Sequence, residues 1–240
     1  GQEGLELFKK YEKNRINAVE SMENMLTEIL PIIGAFILSM TCGAFFIPSV
    51  LKICKKKKLY DIPTLRKVHS APIPRLGGIA FIPSMMISAV AVLLIIATNN
   101  IQDKISLSMW SVGFILSLSI IYSVGIIDDL IGLNAKVKFV AQILAASIMP
   151  ICGLQINDLY GLFGIYEIPS VVGIPLTILV FVFIDNALNL IDGIDGLATS
   201  LSIIALLGFF YCFIPYNLIA YEVMIAGLVG VLTVYLYYNM

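Results

Sequence analysis

Charge is scarce in this sequence. Asp, Glu, Lys and Arg make up 13% of its 240 residues, while 59% are apolar. A soluble domain of this size needs far more charge to cover its surface, so a soluble globule is excluded. Paired cysteines are also missing. Cys42, Cys54, Cys152 and Cys212 lie far apart, each in or beside an apolar run, with no C-x-x-C among them. Neither a zinc site nor a disulfide framework is indicated, and small apolar packing residues are expected. The first 28 residues have no apolar core followed by a small-residue cleavage site, so they do not read as a signal peptide. No internal repeat, low-complexity segment or second domain is evident.

What is present is apolar length. Mean hydropathy is +0.96, and the apolar residues gather in runs of about 20, the length that crosses a bilayer. Seven spans are expected, near Ile29–Ile53, Leu76–Ala97, Leu107–Ile127, Val137–Cys152, Ile168–Ile191, Leu197–Ile214 and Val223–Tyr238. The fourth is short for a crossing. The expected fold is an all-α polytopic transmembrane bundle, with a polar tail over 1–28 and a membrane domain over 29–240. The tail, which begins with Gly, reads as a surface helix or as sequence upstream of a start at Met22 or Met25. Trp110, Tyr235, Tyr237 and Tyr238 fall near span ends, where interfacial anchoring explains them.

Cations set the expected orientation. Of fifteen Lys and Arg, ten lie in the connections after the first and third spans, from Lys52 to Arg75 and at Lys136 and Lys138. The opposite loops hold Lys104 alone. The cation-rich loops are therefore expected in the cytoplasm, with the tail outside. The acids then fall on the same face without having been used to draw it: Asp61, Asp128, Asp129, Asp192 and Asp195.

Three stretches carry chemistry. Asp128-Asp129 places two carboxylates together at a helix end, where a counter-cation relieves their repulsion. Oxygen ligands beside phosphates favour Mg²⁺ or Mn²⁺, and a solvated helix end is the plainer alternative. Asn186, Asn189, Asp192 and Asp195 recur every third residue, which on a helix makes one polar stripe facing a protein interior or wet cavity. Gly193 and Gly196 remove side chains where a phosphate could approach. Polar residues joining helices are the alternative. Asp185 falls on the same face and is expected to be a buried, hydrogen-bonded acid. The third stretch, Asp61–Gly78, holds Arg66, Lys67, His69 and Arg75 as donors suited to phosphate oxygens. Its proline residues stiffen it and Gly77-Gly78 permit close approach. An ordinary positive-inside loop is the alternative.

Together D-x-P-x-x-R-K-x-H (Asp61–His69), P-R-x-G-G (Pro74–Gly78), the D-D pair and N-x-x-N-x-x-D-G-x-D-G-L-A resemble the polyprenyl-phosphate N-acetylhexosamine-1-phosphate transferase family. The R-K-x-H form is more similar to the O-antigen and teichoic-acid initiating branch than to the lipid-I translocase. The resemblance implies transfer of a sugar-1-phosphate from a UDP-sugar to polyprenyl (undecaprenyl) phosphate, with UMP released, in a multi-pass plasma-membrane enzyme whose site faces the cytoplasm. It implies Mg²⁺ (or Mn²⁺) at Asp128 and Asp129, which with Asp192 and Asp195 form the catalytic set. It implies substrate contacts at Asp61, Lys67, His69, Asn186, Asn189 and Gly193. An Asp attacking covalently and the lipid phosphate attacking directly both remain open. Expected partners are the UDP-sugar, polyprenyl phosphate and membrane lipid; a homodimer is compatible and nucleic acid is not expected.

Family members continue after the Tyr238-Asn239 position into an F-x-G-D-x-G-S segment and a later histidine-rich loop. The chain stops at Met240 before both, so an incomplete C-terminus, and a chain inactive by itself, are expected. Two other functions are weighed. A transporter or channel places ionisable groups near the bilayer midplane, whereas these acids sit at span ends. A non-catalytic remnant that binds lipid phosphate is the other. CDP-alcohol phosphotransferases need an A-R after the first D-G, which D-G-I-D-G-L-A lacks.

Overall fold

The computed structural model describes residues 2–61, 73–74, 76–98, 108–216 and 218–239. Seven helices account for most of them: α1 (Gln2–Lys57), α2 (Phe81–Thr98), α3 (Met109–Ile131), α4 (Ala135–Ile151), α5 (Ser170–Ile191), α6 (Leu197–Phe213) and α7 (Ile219–Tyr238). Six stretches are long and apolar enough to cross a membrane, those of α1 (from Leu26), α2 with its leading 3-10 turn, α3, α5, α6 and α7. The exception is α4. Its 17 residues rise about 26 Å, against a hydrocarbon core of about 30 Å. The expected all-α polytopic bundle is thus the observed fold. The tail and first span form one continuous helix. The strands β1 (Tyr60–Asp61) and β2 (Ile73–Pro74) make only a two-residue antiparallel ribbon, which pairs Asp61 with Ile73.

Helix ends follow local chemistry. Asn134 precedes α4 and its side chain accepts the Lys136 N–H at 3.1 Å, a conventional N-cap. Gly132 closes α3 at φ +69°, with its N–H on the Asp128 carbonyl. The three-residue link between them brings the end of α3 beside the start of α4.

The tightest packing joins the first and last helices. α7 packs against both α1 and α2, around a core of Ala35, Ala89, Val92, Val223 and Ala226. Small residues make the approach close, as membrane helices require where no water drives association. At Gly230 an added Cβ would lie 2.5 Å from the Phe36 carbonyl oxygen. At the same time α3 reaches α7 through the Ser111–Tyr221 hydroxyl pair, 2.7 Å apart, and through Trp110 stacked on Tyr221 at 4.6 Å. Further along α3, the Tyr122 hydroxyl donates to the Ile79 carbonyl at 2.7 Å.

Candidate functional site

Three separate parts of the chain meet where α3 and α5 end. Asp129, near the end of α3, accepts the Leu76 N–H on Oδ2 at 3.0 Å. That bond fastens the exit of the first connection to the third span. Leu76 is buried and holds φ +70°. Gly77 follows, so close to α7 that a Cβ there would meet the Tyr235 hydroxyl at 3.0 Å. Tyr235 lies edge-on to Phe81 at 4.8 Å. The Leu76–Gly77 turn therefore ties the end of α3 to the entry of α2 and to the end of α7.

Asp128 points elsewhere, because successive helix residues are about 100° apart. Its Oδ1 accepts the Leu133 N–H at 2.8 Å, and its Oδ2 pairs with Lys138 of α4. The counter-cation beside Asp128 is thus a lysine of the chain itself. Both carboxylates are half-buried, whereas Asp192 and Asp195 are exposed.

The polar run of α5 divides. Asn186 and Asn189 lie within the helix, and Asp192 is its C-cap. Asp195 leaves the helix altogether: it sits in the turn before Gly196, which adopts φ +70° as the N-cap of α6. The expected single helical stripe of four is therefore two helical amides, a cap and a turn. α5 has already ended at Ile191, and Gly196, in the left-handed conformation that glycine adopts without cost, sets the entry to α6. Asn186 is turned to a neighbouring helix. Its Nδ2 donates to Gln142 Oε1 at 3.0 Å and to the Val182 carbonyl at 2.7 Å. Gln142 Nε2 in turn donates to Asp185. Asp185 is thus half-buried and hydrogen-bonded, as expected, and it borders a cavity of about 130 Å³ with Ser117, Gln142 and Phe181.

Lys138 and Gln142 lie one helical turn apart, so a single face of α4 holds α3 through Asp128 and α5 through Asp185 and Asn186. Replacing Gln142 with Leu leaves a half-buried carboxylate without its donor, an expected cost of about 1–3 kcal/mol. Thermal unfolding in detergent checks this. The double change Gln142→Leu/Asp185→Leu should recover most of the loss, and an equal loss in single and double variants would refute the pairing.

Asp61 lies in β1, while Lys67 and His69 fall outside the described residues. Tyr235 is the residue that sequence reasoning misplaced. Its position near a span end reads as interfacial anchoring, but its ring is packed against Phe81 and Gly77. Tyr237 and Tyr238 remain exposed. Among the described residues no three His, Cys, Asp or Glu side chains are grouped to enclose a metal. Carboxylate oxygens at one helix end still suit a hard cation that takes one or two acids and completes its shell with water and phosphate.

Residues 111–240 match the model of glycosyl transferase family 4. A probable undecaprenyl-phosphate N-acetylglucosaminyl 1-phosphate transferase of Bacillus subtilis is 36% identical over 76% of the chain and 48% of its own length. A decaprenyl-phosphate N-acetylglucosaminephosphotransferase of Mycolicibacterium smegmatis is 36% identical over 60% of the chain and 36% of its own length. A phospho-N-acetylmuramoyl-pentapeptide-transferase of Staphylococcus carnosus is 32% identical over 71% of the chain and 55% of its own length. The chain thus spans about half the length of these curated relatives or less.

Proposed function

Because the chain belongs to glycosyl transferase family 4, we propose that it carries part of an enzyme that moves a sugar-1-phosphate, N-acetylhexosamine-1-phosphate, from a UDP-sugar to a polyprenyl phosphate. An oxygen of the lipid phosphate would bond to the sugar-bearing phosphorus, and the bond from that phosphorus to UMP would break. The observation that supports this reading is the docking of the entry to α2 on Asp129 beside Tyr235, with Asp192 capping the end of α5. Two anionic substrates need a site that offers cations and hard-cation ligands together, at a membrane surface where a lipid phosphate can arrive.

Each residue then has a task. Asp192 and Asp195, on the turn between α5 and α6, and the exposed Asn189 face the nucleotide side, with Gly193 leaving room for it. Asn186 holds that turn to α4 through Gln142. Lys67 and His69 supply positive donors for phosphate oxygens. Asp128 and Asp129 are the residues that would hold Mg²⁺, which when bound supplies the charge that lets two phosphates approach. Lys138 holds Asp128 in place before substrates arrive.

The test is release of UMP by the protein expressed from its complete gene, given UDP-N-acetylglucosamine and undecaprenyl phosphate with Mg²⁺. Substrate-dependent UMP with a lipid-linked sugar product is expected. Transport of solute across vesicles without UMP release would favour the transporter instead.

The site should face the cytoplasm, given the cation asymmetry. A Ser70→Cys variant should label only with a membrane-permeant thiol reagent, and Asn100→Cys with an impermeant one. The reverse pattern would put the acids on the wrong side for a nucleotide donor.

A further inference from the structure

The link between α4 and α5 is a folded turn whose apolar side chains point away from the protein. Asp158 and Glu167 bridge in antiparallel fashion. Above them Leu159 N donates to the Tyr166 carbonyl at 2.9 Å and Gly161 N to the Ile165 carbonyl at 3.0 Å. Its base is fastened to α5, where Ile156 N donates to the buried Thr177 hydroxyl at 2.8 Å. Four tip residues are left-handed: Tyr160 (φ +49°), Gly161 (φ +84°), Phe163 (φ +56°) and Gly164 (φ +75°). For Tyr160 and Phe163 that conformation is costly, and strain of this kind persists where surrounding structure enforces it. Its result is exposure: Phe163 is 89% and Tyr160 88% accessible, with Tyr166, Leu162 and Ile165 beside them also open.

The charge pattern narrows the partner. No Lys or Arg occurs after Lys138, so the turn offers no cation to an acidic peptide, a phosphate or a nucleic acid. Of its two acids, Asp158 is occupied in capping the Tyr160 N–H at 2.6 Å. Location narrows it further. The turn follows α4, at the end of the bundle opposite Asp128 and Asp129, where Trp110 and Tyr221 also stack. Since the 17 residues of α4 fall about 4 Å short of the hydrocarbon thickness, the segment just beyond α4 lies at the level of the acyl boundary. Aromatic side chains with one polar edge are favoured there.

We propose that the Tyr160–Tyr166 turn is a lipid-contact surface, its aromatic tip inserted into the interfacial layer of the leaflet opposite the acid-bearing end. Its affinity comes from apolar and aromatic contact and not from headgroup charge. The turn thereby completes the crossing that α4 leaves short.

A Phe163→Trp substitution in a Trp110→Phe background places one reporter at the tip. The second change keeps a ring against Tyr221, and Phe163 is exposed enough that its replacement spares the interior. The purified variant is reconstituted in phosphatidylcholine vesicles carrying brominated chains of graded depth, and quenching is compared with that by aqueous acrylamide. Strongest quenching by bromines nearest the glycerol, weak acrylamide quenching, and no change on adding phosphatidylglycerol or raising salt are expected. Quenching by acrylamide alone would place the tip in water. Quenching by neither would mean that protein covers it, and a marked dependence on anionic lipid would mean that charge is recognised. Each of these three results overturns the proposal. Tyr160→Trp in the same background gives the same reading if the first variant does not fold.

Discussion

Asp129→Asn is expected to abolish sugar-phosphate transfer in the protein made from the complete gene, a loss of at least about 100-fold. The substitution is nearly isosteric. An Asn side-chain oxygen still accepts the Leu76 N–H that Asp129 holds at 3.0 Å, so the first connection stays docked. What disappears is one negative charge at the end of α3, and with it the ligand that the proposed function assigns to a hard cation. Raising Mg²⁺ should not restore turnover, because a neutral amide is a poor ligand at any concentration. The control is Asp158→Asn at the opposite end, where the amide oxygen can still cap the Tyr160 N–H. Turnover of that variant should be nearly unchanged. Equal losses at both positions would point to folding, and a fully active Asp129→Asn would remove Asp129 from the reaction.

Gly230→Val should cost the protein its folded state. The nearest atoms to the new Cβ belong to the backbone of α1, the Phe36 carbonyl oxygen at 2.5 Å and the Met40 nitrogen at 3.3 Å. Backbone cannot swing aside as a side chain does, so α1 and α7 must separate. Overpacking of a close interface ordinarily costs about 1–3 kcal/mol, and the cost here rises because the two helices share one apolar core with α2. The expected result is a broad, aggregated profile in size-exclusion chromatography and a lower unfolding temperature. Gly125→Val supplies the comparison, since nothing lies within 4 Å of its added Cβ. A similar effect of the two changes would mean that the α1–α7 contact is not close.

Much of the architecture is legible in the sequence because a bilayer imposes it. Apolar runs of crossing length become helices, with α4 the short one, since every backbone group in lipid must be bonded internally. The polar positions at the ends of α3 and α5 are legible for the same reason. Their finer arrangement is not. Period-three spacing puts Asp195 on the helix of Asn186, but α5 ends at Ile191 with Asp192 as its cap, so spacing alone misleads. Tyr235 and Tyr238 look alike in sequence, three residues apart near a span end. Only the packing of α7 against Phe81 and Gly77 turns one inward and leaves the other outside. The Lys138–Asp128 and Gln142–Asp185 contacts depend on which face α4 presents, and a helix with apolar residues around most of its girth does not announce it. The folded link between α4 and α5 is not legible either, since left-handed Tyr160 and Phe163 leave no signature in residue type.

The pairing of α1 with α7 sets an order of assembly. Ribosomes add roughly 5–20 residues per second, so Tyr235 emerges some 5–20 seconds after Asp129. Through that interval Leu76 can already dock on α3, the partner 53 residues downstream, while the face of α1 that will meet Gly230 has only α2 and lipid beside it. The small residues there, Ala35 and Ser39, give nascent α1 little apolar bulk to set against the acyl chains. Ala35 finds its partners Val223 and Ala226 only once α7 is in place. In membrane insertion α1 therefore waits for α7, and the entry to α2 gains its neighbour Tyr235 only with the last turn of that helix.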